Sequence, residues 1–199
     1  MFRMRPITLI AIFVILAALA PAQAKREDQN SQLEGAASLR GASPRDVTRS
    51  QERLIRQIRN ELVTLPYYDV FDWLEGEARA DGTVVLRGQV VRPTTKSEAE
   101  ARVKDIEGVE QVINEIEVLP TSINDDRLRR ALYRALFNFD SPLFRYAHRA
   151  VPPIHIIVKN GRVTLKGVVA TEQEKQLAYM KARAVPGVFE VRNELRVEK

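Results

Sequence analysis

Asp81-Gly-Thr-Val-Val-Leu-Arg-Gly-Gln-Val90 and Asn160-Gly-Arg-Val-Thr-Leu-Lys-Gly-Val-Val169 are two copies of one phrase, and each reads as a tight turn feeding a strand. Asp-Gly and Asn-Gly are the pairs that most readily take positive φ at the centre of a β-hairpin. Beyond the turn, Val84 and Leu86, or Val163 and Leu165, alternate onto one face of the sheet. Gly88 and Gly167 then stand where a side chain would rise from that face, which predicts a bulge or a closely packed helix. The register extends past the hairpins. Gly82 and Gly161, Leu86 and Leu165, Gly88 and Gly167, Gly108 and Gly187, Val109 and Val188, and Asn114 and Asn193 are all separated by 79. A constant offset without insertion implies two copies of one small domain.

Working outward, each phrase is flanked by the same elements. Thr48 and Gln51 have capping-box spacing, and Leu54 or Ile55, Ile58 and Leu62 share one helical face, which predicts helix A over about 49–62. In the second copy Asn124 is the candidate cap, Asp125 and Asp126 occupy the first turn, and Leu128, Leu132 and Leu136 form the stripe. Aromatic stretches follow. Phe71, Trp73, Phe137 and Phe139 are expected to close the cores, and Tyr67, Tyr68, Phe144, Arg145 and Tyr146 to be exposed. Ile154, Ile156 and Val158 alternate as the first strand of copy two. In copy one the 79-residue offset lands on Glu75, Glu77 and Arg79, so the apolar face moves to Leu74, Gly76 and Ala78, as a turn longer by one residue would require. Helix B is predicted from Thr95 and Glu98, with Ala99, Val103 and Ile106 inward, and from Thr171 and Glu174, with Ala178, Ala182 and Val185 inward. Gly108 and Gly187 end these helices, and a last strand follows each. The predicted class is α+β: two tandem α-β-β-α-β units, each a three-stranded sheet with two helices on one face.

At the N-terminus, Arg3 and Arg5 precede an apolar run from Ile7 to Leu19, and Ala22 and Ala24 have signal-peptidase spacing. At about 1.5 Å per residue the run spans roughly 20 Å, short of the roughly 30 Å hydrocarbon core. Residues 1–24 therefore read as a signal peptide and the protein as periplasmic or secreted, the alternative being an inner-membrane anchor left uncleaved. Residues 25–47 are polar and small and read as a flexible leader, followed by domain 1 at 48–119, a linker at 120–124 and domain 2 at 125–199. The chain of 199 residues has no cysteine, which removes disulfides, thiol nucleophiles and lipoprotein acylation.

The phrase Gly-x-Val-x-Leu-x-Gly-x-Val (Gly82 to Val90, Gly161 to Val169) and the later Gly-Val-x-x-Val-x-Asn (Gly108 to Asn114, Gly187 to Asn193), in this order of elements, resemble the BON domain. That family takes its name from bacterial osmotically inducible and nodulation proteins. The resemblance covers roughly 48–119 and 124–198. It implies tandem modules in the periplasm or attached to the envelope that bind phospholipid or other envelope surfaces, a setting in osmotic or other stress protection, and no established catalysis. Copy one departs from the usual apolar strand before the turn.

The residues offer no convergent set of polar groups of the kind an enzyme needs. His148 and His155 are the sole histidines, too few for a zinc site, and no glycine-rich phosphate loop occurs. Glu75 and Glu77 lie two apart on a strand, as a solvated face requires. No enzyme activity, cofactor or metal is expected. Charge is the feature with content: residues 51–119 carry 9 Lys and Arg against 14 Asp and Glu, and residues 125–199 carry 15 against 8. The copies thus differ in sign, which would orient one against the other or present Arg127, Arg130, Arg134, Arg145, Tyr146, Lys175, Lys181 and Arg183 to anionic head groups. An exported module associating with anionic phospholipid or another envelope component is the leading reading. A periplasmic chaperone or assembly adaptor that pairs the open edge of each sheet with another polypeptide is the alternative. Nucleic acid is not an expected partner, since export and the lack of a Gly-x-x-Gly loop oppose it, and the residues set no oligomeric state.

Overall fold

The computed structural model describes residues 44–149, 151 and 153–198; the signal-like segment and nearly all of the leader lie outside them. Repeat 1 comprises α1 (Pro44–Val63), β1 (Trp73–Ala78), β2 (Thr83–Val90), α2 (Pro93–Lys104) and β3 (Gln111–Val118). Repeat 2 comprises α3 (Ile123–Leu136), a 3-10 turn (Pro142–Tyr146), β4 (Ile154–Lys159), β5 (Arg162–Val169), α4 (Glu172–Arg183) and β6 (Glu190–Val197). Each sheet places its middle strand second in sequence, β1-β2-β3 and β4-β5-β6, with the hairpin antiparallel and the crossover parallel. This is the α-β-β-α-β order, twice.

Two separate cores follow from the alternation. Val84, Leu86, Val90 and Ile116 meet Ile58 and Leu62 of α1 and Ala99 and Val103 of α2. Val163, Leu165, Val169 and Leu195 meet Leu128, Leu132 and Leu136 of α3 and Ala178 and Ala182 of α4. The shared asparagine joins helix B to the last strand in both: Asn114 Nδ2 donates to the Lys96 carbonyl at 3.1 Å, and Asn193 Nδ2 donates to the Lys175 carbonyl at 2.9 Å.

The hairpins differ as the shifted face requires. Leu74 pairs with Gly88 and Ile154 with Gly167, so Gly76 in β1 occupies the place of Ile156 in β4. In repeat 2 Asn160 and Gly161 both have positive φ, the two-residue turn the sequence predicts. In repeat 1 only Gly82 does; Arg79 and Thr83 pair, with Gly82 N–H donating to the Arg79 carbonyl, which makes a loop of three residues. Gly88 and Gly167 are required by the neighbouring strand and not by a helix. A Cβ there would lie 1.9 Å from the Trp73 carbonyl oxygen or 2.0 Å from that of Pro153. Gly108 and Gly187 stand at positive φ in the turns after α2 and α4.

Three helix starts are corrected. α1 begins at Pro44, so Thr48 lies inside it. α2 starts at Pro93 after Arg92, with Thr95 buried within the first turns, because proline at the first position needs no N–H partner. α3 is capped by Ser122, whose hydroxyl accepts from Asp125 N–H, and not by Asn124. Asp125 is thereby freed to accept from Asn160 N–H and Gly161 N–H at 2.8 and 2.9 Å, tying α3 to the turn of its own sheet. Thr171 caps α4 as predicted, accepting from Glu174 N–H.

From Val47 onward the chain forms one compact unit. The outer sheet faces are covered: Val85 is 1% exposed and Ile157 5%, and Gln89, Glu117 and Leu119 line a cleft with Ile157, Lys159 and Lys166. Lys159 pairs with Glu117, and Lys166 lies over the Trp73 ring. The segment between α1 and β1 crosses over, with Val70 entering the core of repeat 2 and its carbonyl accepting from Ile156 N–H at 2.8 Å. Among the described residues Lys159–Glu117 is the one ion pair between the repeats.

Candidate functional site

α3 and α4 lie side by side as the outer layer of repeat 2 and carry most of the predicted cations. The stripe Leu128, Leu132, Leu136 turns Arg127, Arg130 and Arg134 outward, where all three are exposed. Among the described residues none of the three enters an ion pair. Arg129, one position round the helix, is buried: Nη1 meets Asp126 and Nη2 donates to the Val158 carbonyl at 2.9 Å. On α4, Lys175 lies 3.9 Å from Glu172 and Arg183 donates to the Tyr179 hydroxyl at 3.0 Å, whereas Lys181 is half-buried.

Tyr146 is a correction. It is 4% exposed, its hydroxyl donates to Glu174 Oε2 at 2.9 Å, and Arg145 bridges to the same carboxylate at 2.6 Å. The 3-10 turn drives Leu143 and Tyr146 inward at i and i+3, which a reading of aromatic composition alone misses. Tyr146 is therefore part of the frame. Phe139 reverses the other way, at 83% exposed, its ring tilted against that of Phe144 with centroids 5.1 Å apart, just beyond the C-terminus of α3. Phe189, at 84% exposed, covers Gly161 at the opposite end of the repeat, and no periodicity marks it. Tyr67 is exposed as predicted, Tyr68, Phe71, Trp73 and Phe144 are half-buried, and Phe137 is buried.

A groove of about 790 Å³ opens between the repeats. Its repeat 1 wall is Ile55, Ile58, Arg59 and Leu62 of α1 with Leu74 and Gly76 of β1; its repeat 2 wall includes Arg145, Arg149, Val151, Pro153 and Val168. At its base the His155 ring is buried between Tyr68 and Trp73, with centroids at 5.6 and 5.1 Å. Burial and nearby Asp72 raise the Tyr68 phenol, which stays neutral. Burial pushes the Asp72 carboxyl up to about 6, against the pull of the Val91 and Asp69 N–H groups it accepts from.

The paired carboxylates are occupied: Glu75 accepts from the Trp73 indole and Glu77 from Arg87. Among the described residues no group of three or more His, Asp or Glu side chains could hold a metal ion, and no helix is long and apolar enough to cross a membrane.

The family model of the BON domain matches residues 76–120 and 124–199. The first match begins inside β1, leaving α1 and Trp73–Glu75 outside it. No match is found among curated proteins. Among solved structures, two of CdsD, a structural protein of the type III secretion system of Chlamydia trachomatis, align with TM-score 0.28. One, of its C-terminal domain, is 12% identical and covers 73% of this chain and 98% of that chain. The other is 13% identical and covers 74% and 94%.

Proposed function

Since the chain belongs to the BON domain family, with two copies in tandem, we propose that it is an exported, non-catalytic module that associates with anionic phospholipid of the cell envelope. The observation that carries this reading is the outer face of α3: three exposed arginines without acidic partners among the described residues, next to exposed Tyr133 and Phe139. A cation near an anionic bilayer contributes about 1 kcal/mol, and an aromatic ring rests at the head-group level. On α4 Lys181 is half-buried and Arg183 is bonded to Tyr179, and Arg145, Tyr146 and Lys175 are likewise engaged within the protein.

Flotation with vesicles containing phosphatidylglycerol tests the reading. Recovery with the vesicles is expected at low salt and is lost at high salt, because these exposed charges are screened. Replacing Arg127, Arg130 and Arg134 together with Glu removes more than about 3 kcal/mol, over a hundredfold in partitioning. Equal flotation at high salt, or in the triple variant, rules this face out.

A further inference from the structure

The two sheets treat their first strands differently. In β4 two of the backbone groups that point away from β5 are taken up by the chain itself: Ile156 N–H by the Val70 carbonyl, and the Val158 carbonyl by Arg129 Nη2. The paired bond from Arg79 N–H to the Thr83 carbonyl fixes the parity in β1, where Leu74, Gly76 and Ala78 turn their backbone groups outward. Among the described residues no backbone carbonyl takes the Gly76 N–H. Aligning Leu54, Ile58 and Leu62 with Leu128, Leu132 and Leu136 puts Ile55 at the position of Arg129, so the guanidinium that closes β4 has no counterpart over β1. The groove lies along this edge, with Gly76 on its wall.

We propose that the β1 edge receives an extended polypeptide segment, an apolar residue flanked by carboxylates, supplied by another protein. The molecule carries its own precedent: Asp69-Val70-Phe71-Asp72 lies on the β4 edge through a backbone hydrogen bond, with Val70 buried in the core. An incoming strand would pair with Gly76 in the same way and place its apolar side chain against Ile55, Ile58 and Leu62. Arg145 on the groove wall is held by Glu174, so Arg59 and Arg149 are the cations that acidic flanks would meet, alongside Glu75 and Glu198. Arg149 stacks on Tyr146 and is thereby held at the groove, whereas Arg59 has no ion-pair partner among the described residues.

A labelled synthetic peptide copying residues 66–74, titrated into the full-length protein, is the probe. Saturable binding is expected, with slowed amide exchange at Gly76 and Ala78, the Leu74 N–H being already taken by the Tyr68 hydroxyl. Ile55→Arg, at a surface position that is 44% exposed, supplies the missing guanidinium and is expected to weaken binding at least tenfold. Arg59→Glu, and a peptide with Asn in place of both Asp residues, should each weaken it severalfold. Binding indifferent to Ile55→Arg, protection confined to repeat 2, or no binding by a protein that still floats with vesicles would overturn the proposal. So would displacement of the peptide by phosphatidylglycerol vesicles with equal loss in the Ile55→Arg variant, since that outcome assigns the groove to lipid.

Discussion

Repeat 1 and repeat 2 share strand order, core positions and the asparagine bond between helix and sheet, yet they finish their first strands in opposite ways. β4 is buried at every residue but Lys159 and is met by segments from both repeats; β1 alternates small residues with glutamates and borders a groove. The hairpin turn is where they part. One extra residue in the loop before Thr83 leaves Gly76 where Ile156 stands, and Ile58 fills the place of the missing side chain, its Cγ2 lying 2.5 Å from a Cβ built on Gly76. A domain can thus keep its fold while one copy gains an open edge: β2 still supplies Val84, Leu86 and Val90 to the first core, as β5 supplies Val163, Leu165 and Val169 to the second.

The equivalence is most directly broken at Gly88 and Gly167. Gly88→Val and Gly167→Val should each cost at least about 3 kcal/mol in chemical denaturation, combining a backbone clash with strain at φ of +134 and +120. A marked difference between the two losses would show that the repeats are not matched there. Asp125→Ala addresses a feature of repeat 2: leaving two N–H groups of the turn without their carboxylate should lower stability by about 2–3 kcal/mol and speed exchange at Asn160 and Gly161. Val70→Ala sharpens the contrast from the other side. This residue of repeat 1 should destabilise repeat 2, by about 1–2 kcal/mol, with the faster amide exchange found in β4 and not in β1.

Acidity adds a further test. Asp72 has a folded-state pKa of about 6, above its ordinary value of 3.8, so folding favours the protonated form. Its contribution is fully present below the ordinary carboxylate range and is lost as pH rises through about 6. The difference in Tm between the wild-type protein and Asp72→Asn should therefore change between pH 4.5 and 7, and a constant difference would show that Asp72 does not titrate there. The smallest effect belongs to the ion pair across the interface. Glu117→Gln should cost less than about 1 kcal/mol, because both partners are half-exposed and salt screens them.

Much of this was legible in the residues. Alternation and the 79-residue offset locate the sheets, and the misplaced glutamates of β1 already require the longer turn. The helix caps were harder, since Ser122 and Asn124 are chemically equivalent candidates and only the tie of Asp125 to the turn at Gly161 decides between them. Tyr146 and Phe139 exchanged places because a 3-10 turn carries its own three-residue period, invisible against short aromatic clusters. Among the cations, helical phase separates exposed Arg127, Arg130 and Arg134 from buried Arg129, but nothing local reveals that Arg145 is held by Glu174, 29 residues away. The groove was beyond reach, for it arises where two repeats meet.

The strand given by Val70 to the second sheet also bears on how such a chain can be divided. Cut free at the linker, repeat 2 would bare the Ile156 amide and a patch of its core at the same edge. A severed second half should self-associate through that edge, which makes its partner a built-in chaperone and favours inheritance of the two halves as one piece.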